Sequence, residues 1–161
     1  MTRLNRNDWI TLLAAISTMF IAGAIGSLTT TPNIDTWYQT LQLPPLAPPE
    51  WLFAPVWISL YIIIGISTWL VWRGCGDRRY RRFALGLFVV QAVLNALWSV
   101  IFFGMQEPGL AFVEIALLWG IIAAMIVTYR EVSQLAAGLL APYILWVSFA
   151  AYLNLGIWLL N

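Results

Sequence analysis

Five stretches of this chain, 9–28, 51–72, 83–104, 109–129 and 135–160, each run for 20 residues or more, with Glu114 the one charged residue among them. About 20 apolar residues carry a helix across the hydrocarbon core of a bilayer. Lipid offers the backbone no water to bond, so a run of this kind satisfies its N–H and C=O groups internally, as a helix. The expected fold is all-α: one integral membrane domain over residues 1–161, a bundle of five transmembrane helices. Composition agrees. Only 9% of residues are charged and 61% are apolar, against roughly 25% charged in a soluble domain. Too few polar side chains exist to face water, so most of the surface must face lipid.

The connections order the bundle. Residues 105–108 and 130–134 are short links, so the helices they join lie antiparallel and adjacent. The 73–82 link is basic, and the 29–50 segment is the one long loop. All eight basic residues are arginines. Arg3 and Arg6 precede the first span; Arg73, Arg78, Arg79, Arg81 and Arg82 lie between the second and third; Arg130 lies between the fourth and fifth. Five spans put all of them on one side and Asp35, Glu50 and Glu107 on the other. By the positive-inside rule the N-terminus and the 73–82 link are cytoplasmic, and the 29–50 loop is on the outer face. The basic start, apolar run and AGAIGS of the first span can also be read as a cleavable signal peptide. That run is longer than a typical signal core, which favours a span.

Several chemistries are excluded. The chain has no histidine and one cysteine, Cys75. Imidazole catalysis, histidine-ligated haem, an internal disulfide and a multi-cysteine zinc site all fall away. No long basic tract points to nucleic acid.

The loop ends in LPPLAPPEWLFAP, with prolines at 44, 45, 48, 49 and 55. Each proline pushes its predecessor to extended geometry, so the stretch reads as a stiff strap at the outer surface. Glu50 suits the first turn of the second span, where negative charge is favoured. The strap is either a rigid stop before a helix or a lid over something.

Polar and aromatic side chains inside the spans are few. At about 1.5 Å per residue, Asn95 lies roughly 13 Å below the outer end of the third span and Trp57 roughly 9 Å below the start of the second. Trp146 is near the middle of the fifth span, with Asn154 and Trp98 nearer the surface. With Trp37 and Tyr38 of the loop, these groups converge beneath the strap. An amide in hydrocarbon needs a partner, so Asn95 faces the bundle, with Gln91 one turn earlier on the same face. Such amides either bond across helices or serve a ligand. Trp9, Trp51, Trp72 and Trp158 suit the interfacial belt. Trp57 and Trp146 are too deep for it and are core packing or pocket walls. Glu114 either faces the bundle or snorkels to the interface. Ala92 and Ala96 form a small-xxx-small face, for a dimer seam or for packing within the chain.

Three segments, WYQTLQLPPLAPPEWLFAPVWISLY, QAVLNALWSVIFFG and SQLAAGLLAPYILWVSFAAYLN, resemble the TspO/MBR family of tryptophan-rich sensory and translocator proteins. With the five-span layout, the resemblance covers about residues 10–160. It implies a receptor or transporter with a pocket closed by the first loop, taking tetrapyrroles such as protoporphyrin IX and haem as ligands, with no required cofactor, and a homodimer. Carried over by position, the ligand-binding residues are Tyr38, Trp57, Asn95, Trp146, Ala150 and Asn154. Light- and oxygen-dependent porphyrin degradation, reported for some members, is the alternative, with Trp57 and Trp146 as its catalytic residues; a regulatory, partner-binding membrane protein is another. Two motifs depart from the family. Leu46 stands where a tryptophan is usual before the second proline pair, and Leu155 and Leu159 replace the tyrosine and arginine of the mammalian sterol motif.

Overall fold

The computed structural model describes residues 5–161, so Arg3 lies outside the described residues. Helix α1 runs from Arg6 to Ile34. It opens on a reciprocal cap: Asp8 N–H donates to Asn5 Oδ1 at 2.9 Å and Asn5 N–H donates to Asp8 Oδ2 at 2.8 Å. Two orphan donors of the first turn are thereby satisfied. The helix continues past Leu28, where apolarity ends, so the expected loop over 29–50 is corrected to one that begins after Ile34. The reason is local. Thr29 and Thr30 donate their hydroxyls to the Gly26 carbonyl at 2.9 and 3.0 Å, and Asn33 Nδ2 donates to the Thr29 carbonyl at 2.9 Å. Polar side chains folded back on their own helix find their hydrogen-bond partners without leaving it.

The loop carries single 3₁₀ turns at Tyr38–Thr40 and Glu50–Leu52, the second leading into α2, Phe53–Gly74. Helix α3 spans Arg78–Ser99, capped by Asp77, whose Oδ1 accepts from the Arg79 and Tyr80 N–H groups at 2.6 and 2.9 Å. It winds wider over Val100–Gly104, where Met105 N–H reaches back five residues to the Val100 carbonyl at 2.9 Å. Helix α4 is Pro108–Arg130. The fifth crossing is two helices, α5 Gln134–Leu139 and α6 Ala141–Leu160. Pro142 has no N–H for the Gly138 carbonyl, and the break falls there. Five membrane-length helical crossings result, with no strand among the described residues.

The crossings alternate in direction, so the described arginines gather at one end, where α2 finishes and α3 starts. Arg73 Nε pairs with Asp8 at 3.2 Å there, and its guanidinium lies 5.0 Å over the Trp69 ring. At the same end Tyr80 Oη donates to the Thr128 carbonyl at 2.9 Å, and Ser67 Oγ to the Ala136 carbonyl at 2.7 Å. The proline strap is at the opposite end. Helix α1 packs on α2 and α3, and α4 packs on α3, α5 and α6. Helix α2 leans on α5 but barely meets α6, which leaves a seam between α2 and α6 toward the strap end.

Close approach sets the α1–α2 spacing. A Cβ on Gly65 would lie 2.5 Å from Ile16 Cγ1 and 2.9 Å from Ile16 Cα. The second clash is with backbone, which rotamer changes do not relieve. Gly65→Val should therefore cost about 1–3 kcal/mol, the usual range for overpacking, and lower the melting temperature of the purified protein. Gly120→Ala, at a site with no atom within 4 Å of the added Cβ, should leave it unchanged or slightly raised.

Candidate functional site

The bundle centre holds a closed set of polar bonds among otherwise apolar walls. Tyr61 Oη on α2 donates to Asn95 Oδ1 at 3.2 Å, and Asn95 Nδ2 donates to Tyr143 Oη on α6 at 3.3 Å. Tyr143 Oη in turn donates to Gln91 Oε1 at 2.9 Å, and Gln91 Nε2 approaches Met19 Sδ on α1 at 3.0 Å. Four crossings are tied by one chain of side chains, and all five residues are buried. Spacing places them: Gln91 and Asn95 share a face of α3, and Tyr61 lies one turn beyond Trp57 on α2.

Two aromatic walls flank this set. Trp57 and Tyr61 lie with ring centroids 5.6 Å apart, and Tyr61 meets Phe20 edge-on at 5.8 Å. Across the α2–α6 seam, Phe53 meets Trp146 edge-on at 5.9 Å, and Trp146 is followed by Phe149 at 5.8 Å. Trp57, Trp146 and Ala150 are partly buried side chains on the margin of the main core. The indole Nε1 of Trp146 is buried and has no hydrogen-bond partner among the described residues. A buried donor without an acceptor is costly and uncommon.

The other two positions named from the sequence are placed differently. Asn154 is engaged at both ends of its amide: its Oδ1 accepts from Trp98 Nε1 at 3.0 Å and its Nδ2 donates to the Pro108 carbonyl at 2.7 Å. It clamps α3, α4 and α6 together. Tyr38 belongs to a second, smaller cluster, beside Trp37 and 5.8 Å from Phe103. Trp98 borders both clusters. Burial, and then the Glu50 carboxylate, hold the Tyr38 phenol above its ordinary pKa, so this group is a hydroxyl at neutral pH. Thus Trp57, Asn95, Trp146 and Ala150 adjoin the main core, while Tyr38 and Asn154 stand toward the strap end.

The strap is fastened to α6. Gln42 N–H donates to Asn161 Oδ1 at 2.9 Å, and Asn161 Nδ2 donates to the Gln42 carbonyl at 3.2 Å. Tyr152 Oη donates to the Pro45 carbonyl at 2.9 Å. Pro44 packs against Gly156, where a Cβ would come within 2.6 Å of its ring. Leu46, at the family's tryptophan position, turns outward and is 80% exposed.

Sequence reasoning did not single out Tyr61, Tyr143, Tyr152 or Gly156 for these roles. Spacing offered a signal for the first two: Tyr61 is four residues after Trp57, and Tyr143 is three before Trp146. Glu114 resolves in favour of the bundle. It is 5% exposed, and neither carboxyl oxygen has a hydrogen-bond partner among the described residues. Ala92 and Ala96 of α3 line, with Ala22 of α1, an apolar groove of about 380 Å³ between the two helices.

Comparison with known proteins agrees with this architecture. The family model described as TspO/MBR matches residues 15–159. The chain is 41% identical over 153 residues to the tryptophan-rich protein TspO of Chlorobaculum tepidum, covering 94% of this chain and 96% of that one. It is 42% identical over 123 residues to the translocator protein of Ovis aries, covering 76% and 73%. It is 34% identical over 140 residues to the protein CrtK of Rhodobacter capsulatus, covering 87% and 86%. With a match across nearly its whole length and an integral, multi-pass helical bundle to go with it, this chain belongs to the TspO/MBR family.

Proposed function

We propose that this protein is a membrane receptor or transporter that takes a flat, mostly apolar guest of the tetrapyrrole class, such as protoporphyrin IX or haem, at the α2–α6 seam beneath the strap. One observation carries the reading: the Trp146 indole N–H is buried without an acceptor on a wall of aromatic rings, where two helices barely meet. A porphyrin edge supplies acceptors, and its face suits Trp57, Trp146 and Phe53. Asn95 holds the wall by fixing Tyr61, and its second N–H is free to meet a polar edge. The strap, stiffened by proline and bonded to α6, limits the entropy lost on closure. Tyr38 and Asn154 act at a distance from the rings, by holding the strap-end cluster and the α3–α4–α6 clamp.

Titration of protoporphyrin IX into the protein in nanodiscs, followed by the Soret band, tests this. At ~0.5–1.5 kcal/mol per aromatic pair, Trp57→Phe together with Trp146→Phe should weaken binding about tenfold. Equal affinity in the double variant removes the pocket from this seam.

We also propose that the arginine end is cytoplasmic and the strap end faces out; the run of arginines supports this. Cys75 is buried and its thiol lies 3.3 Å from the Asp77 carbonyl, so it is a poor reporter. Gly76, exposed and with open space at its Cβ, is a better one. In a Cys75→Ser background, Gly76→Cys should resist an impermeant maleimide in intact cells and react after permeabilisation; labelling of intact cells reverses the orientation. A homodimer, as the family resemblance implies, should appear in native mass spectrometry at twice 18.1 kDa; a mass of one chain only counts against it.

A further inference from the structure

Leu46 contradicts its surroundings twice. Its φ is +69°, in the left-handed region that leucine enters only at a cost. Ala47 N–H donates to the Pro44 carbonyl at 3.3 Å, so Pro44–Ala47 form a turn with proline second and a positive φ third. That third position favours glycine or asparagine. The side chain also gains nothing from the protein itself, being 80% exposed. A strained backbone that displays a large apolar group, rather than hiding it, calls for an apolar partner outside the chain.

The partner's nature follows from where the strap lies and from what it lacks. Pro44 sits on Gly156, four residues before Leu160, or ~6 Å short of the end of α6. Tyr152, which holds Pro45, is ~12 Å short of it. Trp51 is 72% exposed and Trp158 is 49% exposed, side chains that settle at the lipid–water boundary. The strap joins the first of them in sequence and rests on the helix that carries the second. Residues 41–49 carry no charge, so nothing on the strap would recognise a charged partner. Its backbone is also poor in donors: four of the seven residues 43–49 are prolines, Ala47 spends its N–H within the turn, and the Pro45 carbonyl is already met by Tyr152. Backbone with so few free donors suits the hydrated glycerol level, from which a side chain alone reaches into hydrocarbon.

We infer that the strap is a lipid-contacting element, and that Leu46 inserts into the glycerol and upper acyl region of the strap-side leaflet. This holds whatever guest the seam takes. Proline here serves less to stop a helix than to strip N–H groups from a segment that meets the bilayer. The strap then has two anchors, α6 on one side and lipid on the other.

Site-directed spin labelling decides the matter. In a Cys75→Ser background, Leu46→Cys is labelled with a nitroxide, and Gln39→Cys, an exposed site on the same loop, serves as reference. Both are placed in nanodiscs of dioleoylphosphatidylcholine. The label at 46 should collide with oxygen far more than with a water-soluble nickel chelate, and the label at 39 should show the reverse. Equal nickel access at both sites overturns the inference. So does a label at 46 shielded from both colliders, or one showing dipolar broadening from a second copy, because either result puts protein where lipid is required. Both substitutions are at exposed positions, so folding is not at issue.

Discussion

The Tyr143 hydroxyl is the point on which the interior depends. It donates to Gln91 at 2.9 Å and accepts from Asn95 at 3.3 Å, and through them it reaches α1, α2 and α3. In lipid, apolar side chains gain little from turning inward, because the solvent is as apolar as the core. Packing and polar pairing must therefore fix which faces meet. A single set of bonds joining four crossings specifies rotation and depth together: a helix turned by one residue would leave an amide in hydrocarbon, at a cost of several kcal/mol. Trp98, Asn154 and the Pro108 carbonyl repeat the device nearer the strap, and Thr68 with Tyr129, bonded at 3.1 Å, repeat it toward the arginines.

Such spacing of polar clamps has a consequence for the seam. Helix α2 is tied to α5 through Ser67 and to α4 through Thr68. Further out its polar link runs through Tyr61 to Asn95, not directly to α6. Among the described residues no hydrogen bond joins the two helices directly where Phe53, Trp57 and Trp146 stand, and aromatic contact alone links them there. Aromatic rings meeting edge-on, as Phe53 and Trp146 do, leave faces available that stacking would have closed.

How much was legible beforehand follows from what kind of signal each feature leaves. The crossings were readable because apolarity is additive over 20 residues and lipid leaves the backbone one answer. The end of α1 was not, since TTTPN counts as polar while its hydroxyls and amide bond back to the helix that carries them. The break at Pro142 had its residue in plain view, yet apolarity runs straight through it. Asn95 and Gln91 stood out as amides in a hydrocarbon setting. Their partners Tyr61 and Tyr143 did not, because tyrosine passes as an aromatic in any hydropathy count and shows its hydroxyl only once a neighbouring helix is in place. Asn154 was legible as a polar residue but not as a clamp: one of its partners is a backbone carbonyl, which has no letter in the sequence.

Gly156 and Pro44 show why the strap could be seen without its purpose being seen. A proline run announces stiffness wherever it occurs. What the run leans on depends on a missing side chain more than a hundred residues later. Glycine at 156 opens a flat place on α6 one turn beyond Tyr152, so ring and hydroxyl hold consecutive prolines. A lone glycine in a helix costs about 1 kcal/mol relative to alanine, and the apolar context gives it no local use. Contact with Pro44 is the use the structure supplies. The segment that most resists being helical is thus mounted on a helix, with its outward leucine held in a conformation that leucine alone would not choose.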